Sequence, residues 1–249
     1  MSINESIVRR IDEWKNPILA TKMDEYDSNV LVYDGIVDED HFSHQSEKIL
    51  FLLKDGNEPF PHEELGNQGC TYLDFQKALK CDYPAKDFYR MWRVMCLWTR
   101  IIEDPNFCLS DCYDKNTGFS VDNMREYLSH IATVNIKKLA GIGTNSKNKA
   151  TSYDKKLRKA VSSYYPLIKE EISLIKPTLV ICGGTFEFIQ NQYSEKPKQL
   201  STGKRYFTHE GCDYLEFVHP SAFYSYEKFY CDFKNSYNEL CKEREMTKP

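Results

Sequence analysis

Four short apolar runs, each ending in a polar cluster, punctuate the chain. Lys48-Ile-Leu-Phe-Leu-Leu53 runs into Lys54-Asp55-Gly56-Asn57-Glu58-Pro59, and Ile131-Ala-Thr-Val134 into Asn135-Ile-Lys137-Lys138. Thr178-Leu-Val-Ile-Cys182 runs into Gly183-Gly184, and Leu215-Glu-Phe-Val218 into His219-Pro220-Ser221. Strands are predicted at 48–53, 131–135, 178–182 and about 213–218. Between them the apolar period turns helical. Residues 2–15 place Ile3, Ile7, Ile11 and Trp14 on one face, and Lys86 to Ile102 carries Trp92 and Trp98 before Pro105 ends it. Ser120 caps a short helix to about His130, a helix over 153–175 bends at Pro166, another begins near Thr185, and the last spans about 222–243. Residues 54–70, 111–118, 140–152 and 193–204 read as loops. With no repeat and no linker, residues 1–249 form one α/β domain: a three-layer α/β/α sandwich around a central four-stranded parallel sheet.

In an open parallel α/β sheet, ligands bind just beyond the carboxyl ends of the strands. If the four runs are neighbours, Asp55, Asn135, Gly183-Gly184 and His219 converge on one crevice. A carboxylate, an amide, a backbone-exposing turn and an imidazole together suit acid–base or electrostatic catalysis. Each also has a purely structural reading. Asp55 before Gly56 suits a turn, Asn135 a cap after its strand, His219 before Pro220 a strand terminator, and the glycine pair a strand-to-helix bend.

Composition narrows the classes. The chain has 249 residues, enough to bury a full core, with 41% hydrophobic and 28% charged residues. No apolar run approaches the roughly 20 residues that span a bilayer. Met1-Ser-Ile-Asn-Glu lacks a signal-peptide apolar region, so a cytoplasmic protein without membrane attachment is expected. Nine Cys in no regular framework suit reduced thiols, and Cys108-x3-Cys112 has no second pair, so no structural metal is expected. A net charge of −4 argues against a protein coated in nucleic acid. Residues 137–159 are nevertheless locally basic. They hold Lys137, Lys138, Lys147, Lys149, Lys155, Lys156, Arg158 and Lys159 against one acid, Asp154. Such a run is usually a solvated face. Starting directly after Asn135, it also suits phosphate contacts. The 17 Tyr and 14 Phe suit a Tyr-rich core and surface, or stacking on bases.

Three motifs in order, over roughly residues 48–230, resemble the uracil-DNA glycosylase superfamily. The first is a strand followed by Gly-Gln-Asp-Pro-Tyr or a variant, matched here by Leu53-Lys54-Asp55-Gly56-Asn57. The second is an apolar strand ending in a base-reading Asn, here Thr133-Val134-Asn135-Ile136. The last is His-Pro-Ser-Pro-Leu-Ser, here His219-Pro220-Ser221-Ala222-Phe223-Tyr224. Pro-Thr-Leu-Val-Ile-Cys-Gly-Gly after a long helix also looks like the family's third core strand.

The resemblance implies that fold and a monofunctional DNA glycosylase, a monomer acting on DNA with no cofactor and no metal. It implies Asp55 and His219 as the catalytic pair and Asn135 as reader of a flipped pyrimidine. Asn57 and Glu58 would line the base pocket, with Phe60, Tyr72 or Phe75 stacking on the base. Ser221 would contact a phosphate, as would Lys137, Lys138, Lys147 and Lys149, and Phe223 would fill the gap left by the flipped base. The chain departs from the pattern at Lys54, at Gly56 and at Asn57, which stands where a Tyr excludes the thymine methyl. Glu58 is an alternative carboxylate. A pyrimidine modified at C5 is therefore admitted. Some members of that superfamily remove hypermodified phage bases, so a defence role is conceivable by analogy. Two rivals stay open: a catalytically dead DNA-binding module on the same fold, and a nucleoside hydrolase.

Overall fold

In the computed structural model, residues 1–21, 27–57, 90–115, 118–119, 122–141 and 150–247 are described. Two helices open the chain, α1 (Ile3–Glu13) and α2 (Lys15–Leu19), where one helix over 2–15 was expected. Ser2 caps α1 through a capping box with Glu5. Two edge strands follow, β1 (Asp27–Leu31) and β2 (Gly35–Ile36), then α3 (Glu39–Ser43) and β3 (Ile49–Asn57). After α4 (Arg90–Glu103) comes a small hairpin, β4 (Tyr113–Asp114) and β5 (Gly118–Phe119), then α5 (Asp122–Ser129) and β6 (Ile131–Gly141). Next are α6 (Ala150–Ile175), β7 (Leu179–Gly183), α7 (Phe186–Gln190), β8 (Lys198–Gln199), β9 (Arg205–His209), β10 (Cys212–Phe217) and α8 (Tyr226–Thr247). The helical path of α6 breaks at Tyr164 (φ −130°), beside the expected bend at Pro166.

The four apolar runs are the four parallel strands, in the order β6-β3-β7-β10. The sheet is wider than four strands, because antiparallel strands extend both edges: β1 and β2 beside β6, β9 and β8 beyond β10. Strand β9 falls just beyond the expected 193–204 loop. It joins β10 through Glu210 and Gly211, both at positive φ (49° and 79°), the geometry of a two-residue hairpin turn.

Alternation within the strands feeds two cores. Ile49, Phe51 and Leu53 share one face with Ile181, Leu215 and Phe217, covered by α4, α5 and α8. Leu50, Leu52, Val134 and Val180 face the other way, under α1, α2, α6 and α7. Each fully buried aliphatic side chain contributes about 1.5–3 kcal/mol. Trp98 ties the first layer together, stacking on Phe233 (5.0 Å between centroids) with its edge against Phe217 (4.9 Å). No described helix is long and apolar enough to cross a membrane.

From β3 the chain passes through α4 and α5 to β6 on one side, then through α6 to β7 on the other. The strand order therefore reverses at β3. The carboxyl ends of β3 and β7 flank the position where such sheets bind ligands.

Candidate functional site

Residue register sets the middle of β6 and β3 in one row with the ends of β7 and β10. Asn135 lies beside Leu53, and Phe217 beside Gly183. Leu52 pairs with Cys182, which sets Leu53 next to Gly183. Asp55, in register with Lys137, is two residues beyond this row on β3, and His219 is two beyond it at the exit of β10. With strands about 4.8 Å apart, two steps separate those exits by roughly 10 Å of backbone.

Glycine floors the gap between them. A Cβ on Gly183 would meet Leu53 Cδ2 at 3.0 Å and Pro220 Cδ at 3.2 Å. Gly184 has φ +72°, and a Cβ there would lie 3.6 Å from Lys54 Cε and 3.8 Å from His219 Cβ. Close approach thus favours glycine at 183, and the backbone angle favours it at Gly184. Its N–H donates to the carbonyls of Cys182 (2.8 Å) and Phe217 (2.9 Å), so the turn is locked to β10. Lys54 runs across this floor toward Phe188, its ammonium 5.9 Å from that ring.

The local chain orients His219. Ser221 N–H donates to His219 Nδ1 at 3.2 Å, and Ser221 Oγ lies 2.6 Å from the same nitrogen. A backbone N–H can only donate, so Nδ1 is an acceptor and the neutral ring carries its proton on Nε2. His219 O also accepts from Ala222 N–H at 2.9 Å, closing the turn. Ser221, expected as a phosphate contact, is exposed and is already part of the imidazole's support.

The final helix begins at Tyr226, with Ser225 Oγ accepting from Lys228 N–H, later than the expected 222. Phe223 therefore sits on the preceding loop, 99% exposed and outside the core.

Two of the expected cationic contacts are corrected. Strand β6 continues to Gly141 instead of stopping at 135, so Lys137 and Lys138 are strand residues with 4% and 0% exposure. Lys138 Nζ is bonded to Asp34 and lies 2.7–2.8 Å from both oxygens of Glu171, and all three side chains are fully buried. An ammonium enclosed by two carboxylates cannot reach a phosphate. Lys147 and Lys149 lie outside the described residues, as do Glu58, Phe60, Tyr72 and Phe75. Asp55 and Asn57 are described through the β3 backbone.

Asn135 is 1% exposed, and its Nδ2 donates to Asp34 Oδ1 at 2.8 Å. Asn135, Asp34, Lys138 and Glu171 thus form one buried polar chain running from α6 to the middle of β6. Sequence reading missed Asp34, Glu171 and the placement of Lys54. Tyr33-Asp34-Gly35 looks like any turn, and no local pattern links it to Lys138, 104 positions on.

Two carboxylates share one ammonium in this cluster, so burial raises both acids. Burial is the largest cause at Glu171, opposed by Lys138 and reinforced by Asp34, and it pushes that carboxyl up to about 8. At Asp34 burial again outweighs Lys138 and Asn135. At Lys138 the two carboxylates outweigh burial and hold the amine protonated. An unfolded glutamate titrates at about 4.3, so between that value and about 8 the folded chain holds a proton the unfolded chain has lost. Stability from this group is complete below the lower value and declines as pH rises toward the upper one. Relative to Glu171→Gln, which cannot titrate, the wild type should lose unfolding free energy from pH 5 to 8 and then level off. Urea midpoints across that range check this. A constant difference would show that Glu171 does not hold the proton.

Among the described residues, no group of three or more His, Cys, Asp or Glu is arranged to hold a metal ion. Comparison of the chain with family models, with curated proteins and with solved structures finds no match to any of them.

Proposed function

We propose that this protein is a DNA glycosylase on a uracil-DNA glycosylase-like four-stranded core, which flips out a damaged or modified pyrimidine nucleotide and hydrolyses its N-glycosidic bond. The observation that carries the reading is His219. Its acceptor Nδ1 leaves the Nε2–H as the donor, at a strand exit facing the Asp55 strand across a glycine floor. As the C1′–N bond breaks, positive charge builds on the sugar and negative charge on the leaving base. The imidazole N–H stabilises the anionic base, and the Asp55 carboxylate stabilises the sugar or orients the attacking water. The water adds its oxygen to C1′, and its proton balances the charge on the released base. These groups alone suffice, so the reading needs no cofactor and no metal, with the chain acting as a cytoplasmic monomer.

Exposed Phe223 favours a polymer substrate over a free nucleoside. Holding a duplex open after flipping costs a few kcal/mol of unstacking. Phe223→Ala should slow release from paired DNA by about tenfold or more while barely affecting single strands. Equal slowing of both substrates would assign Phe223 to another task.

The deciding experiment incubates the protein with DNAs carrying uracil, hydroxymethylated and glucosylated pyrimidines, single- and double-stranded, and detects abasic sites. Base release from one of them supports the reading. No release from any, with cleavage of a free nucleoside, would replace it with a nucleoside hydrolase. Binding without release would leave a DNA-binding module.

A further inference from the structure

Two arginines stand at the carboxyl ends of the parallel strands, one in each helical layer, and neither lies within the three sequence motifs. Arg90 opens α4, with its guanidinium carbon 5.2 Å from the centre of the Tyr226 ring and 5.7 Å from that of Phe229. Tyr226 begins α8 directly after the turn that leaves His219, so Arg90 flanks that exit on one face of the sheet. Arg158 is on the opposite face, in α6, and is exposed. Its guanidinium carbon lies 4.5 Å from the centre of the Phe188 ring, the same ring that Lys54 reaches from β3.

Among the described residues, neither guanidinium has a carboxylate partner. The acids beside them are engaged elsewhere. Glu227, next to Tyr226, pairs with Lys115 at 3.5 Å. Glu187 accepts from Arg158 Nη1 only through its backbone carbonyl, at 3.3 Å, and its carboxylate pairs with Arg205 at 2.6 Å. Arg10, Arg205 and Arg244, by contrast, each hold a carboxylate within 2.7 Å. The aromatic rings seat the two guanidinium groups without cancelling their charge. Arg90 Nε is buried with no hydrogen-bond partner, which leaves its Nη groups as the edge open to a ligand. A planar guanidinium seated by its face offers N–H donors along its edge, a match for two oxygens of one phosphate.

We infer that Arg90 and Arg158 are paired backbone anchors: one DNA strand crosses the strand exits from the α6 layer to the α4 layer, with a phosphodiester held at each arginine and the Gly183-Gly184 floor between them. The choice of DNA rests on the glycosylase reading. The anchors take over the phosphate role that buried Lys137 and Lys138 cannot fill. They also let a chain of net charge −4 hold a polyanion, because the charges that act are local and lie on both sides of the crevice.

The test measures binding of a short fluorescent single-stranded DNA to the full chain across a salt series. Each phosphate contact on a single strand contributes about 0.7 to the slope of log affinity against log salt. Arg90→Gln and Arg158→Gln should each lower the slope by about 0.7, and the double variant by about 1.4. Arg90→Lys should restore the slope, which a packing role would not require. Arg10→Gln removes the same charge from a site paired to Glu13 and should leave the slope unchanged. Urea midpoints confirm that each variant is folded. In a second arm, a methylphosphonate removes one backbone charge at successive positions of a strand whose single modified pyrimidine sets the register. Two separate positions should weaken wild-type binding, one falling silent in Arg90→Gln and the other in Arg158→Gln. Unchanged slopes in the folded variants, an equal fall in Arg10→Gln, or no binding by the wild type overturns the anchors. Displacement of the strand by a free deoxynucleoside monophosphate at equal phosphate concentration overturns the crossing strand. Slopes that fall as expected in a protein that releases no base keep the anchors and fail the glycosylase reading instead.

Discussion

Lys138→Met should destabilise the fold by about 3–5 kcal/mol. The ammonium is fully buried between Asp34 and Glu171, and removing it leaves two buried carboxyl groups without their cation. Those groups must then take up protons or bear the cost of uncompensated burial. The loss should therefore be greater at pH 8.5 than at pH 5, where protonation is easier. Urea unfolding at the two values checks both the size and the direction. Neutralising the partners as well, with Asp34→Asn and Glu171→Gln alongside Lys138→Met, should recover much of the loss, since the damage comes from the stranded carboxylates and not from the missing stem. A loss below about 1 kcal/mol for Lys138→Met is what an exposed pair would give, and it would contradict the enclosed cluster.

Under the proposed glycosylase reading, Asp55→Asn should lower single-turnover base release by about 10²–10³ while leaving DNA affinity nearly unchanged. A neutral amide of the same shape keeps the contacts of the strand end but cannot balance the positive charge that develops on the sugar. The expected signature is a fall in the rate constant at saturating enzyme, with the binding midpoint preserved. Release within a few-fold of wild type would take Asp55 out of the chemistry and pass the role to Glu58. Under the proposed glycosylase reading the two variants separate fold from function, Lys138→Met acting on stability and Asp55→Asn on base release.

The four apolar runs were legible as strands because a strand buried on both faces must be apolar at nearly every position. Leu50 and Leu52 feed one core while Ile49, Phe51 and Leu53 feed the other, and a continuous run satisfies both at once. The helices between them carried their own period, so the α/β class and the parallel core followed from local pattern. Edge strands carry less of that signal. Asp27–Leu31 pairs on one side with β6, Arg205–His209 lies between β10 and the two-residue β8, and both mix polar and apolar residues and reveal themselves only through their neighbours. The Glu210-Gly211 turn does the work of Asn-Gly without its familiar composition.

Sequence by itself determined the order of the four parallel strands along the chain and the chemistry available at their ends, because each depends on neighbours within a few residues. The tertiary structure decided the spatial order β6-β3-β7-β10, which brings the Gly184 turn against Lys54 and His219. It decided that Phe223 stands fully in solvent. It also reversed the reading of Lys137 and Lys138. Charged residues read locally as solvated because burying an unpaired charge is costly. Only folding brings Asp34, from 104 positions before, and Glu171, from 33 after, around one ammonium and makes its burial tolerable. That pairing is long-range and electrostatic, so no window of sequence around Lys138 contains it.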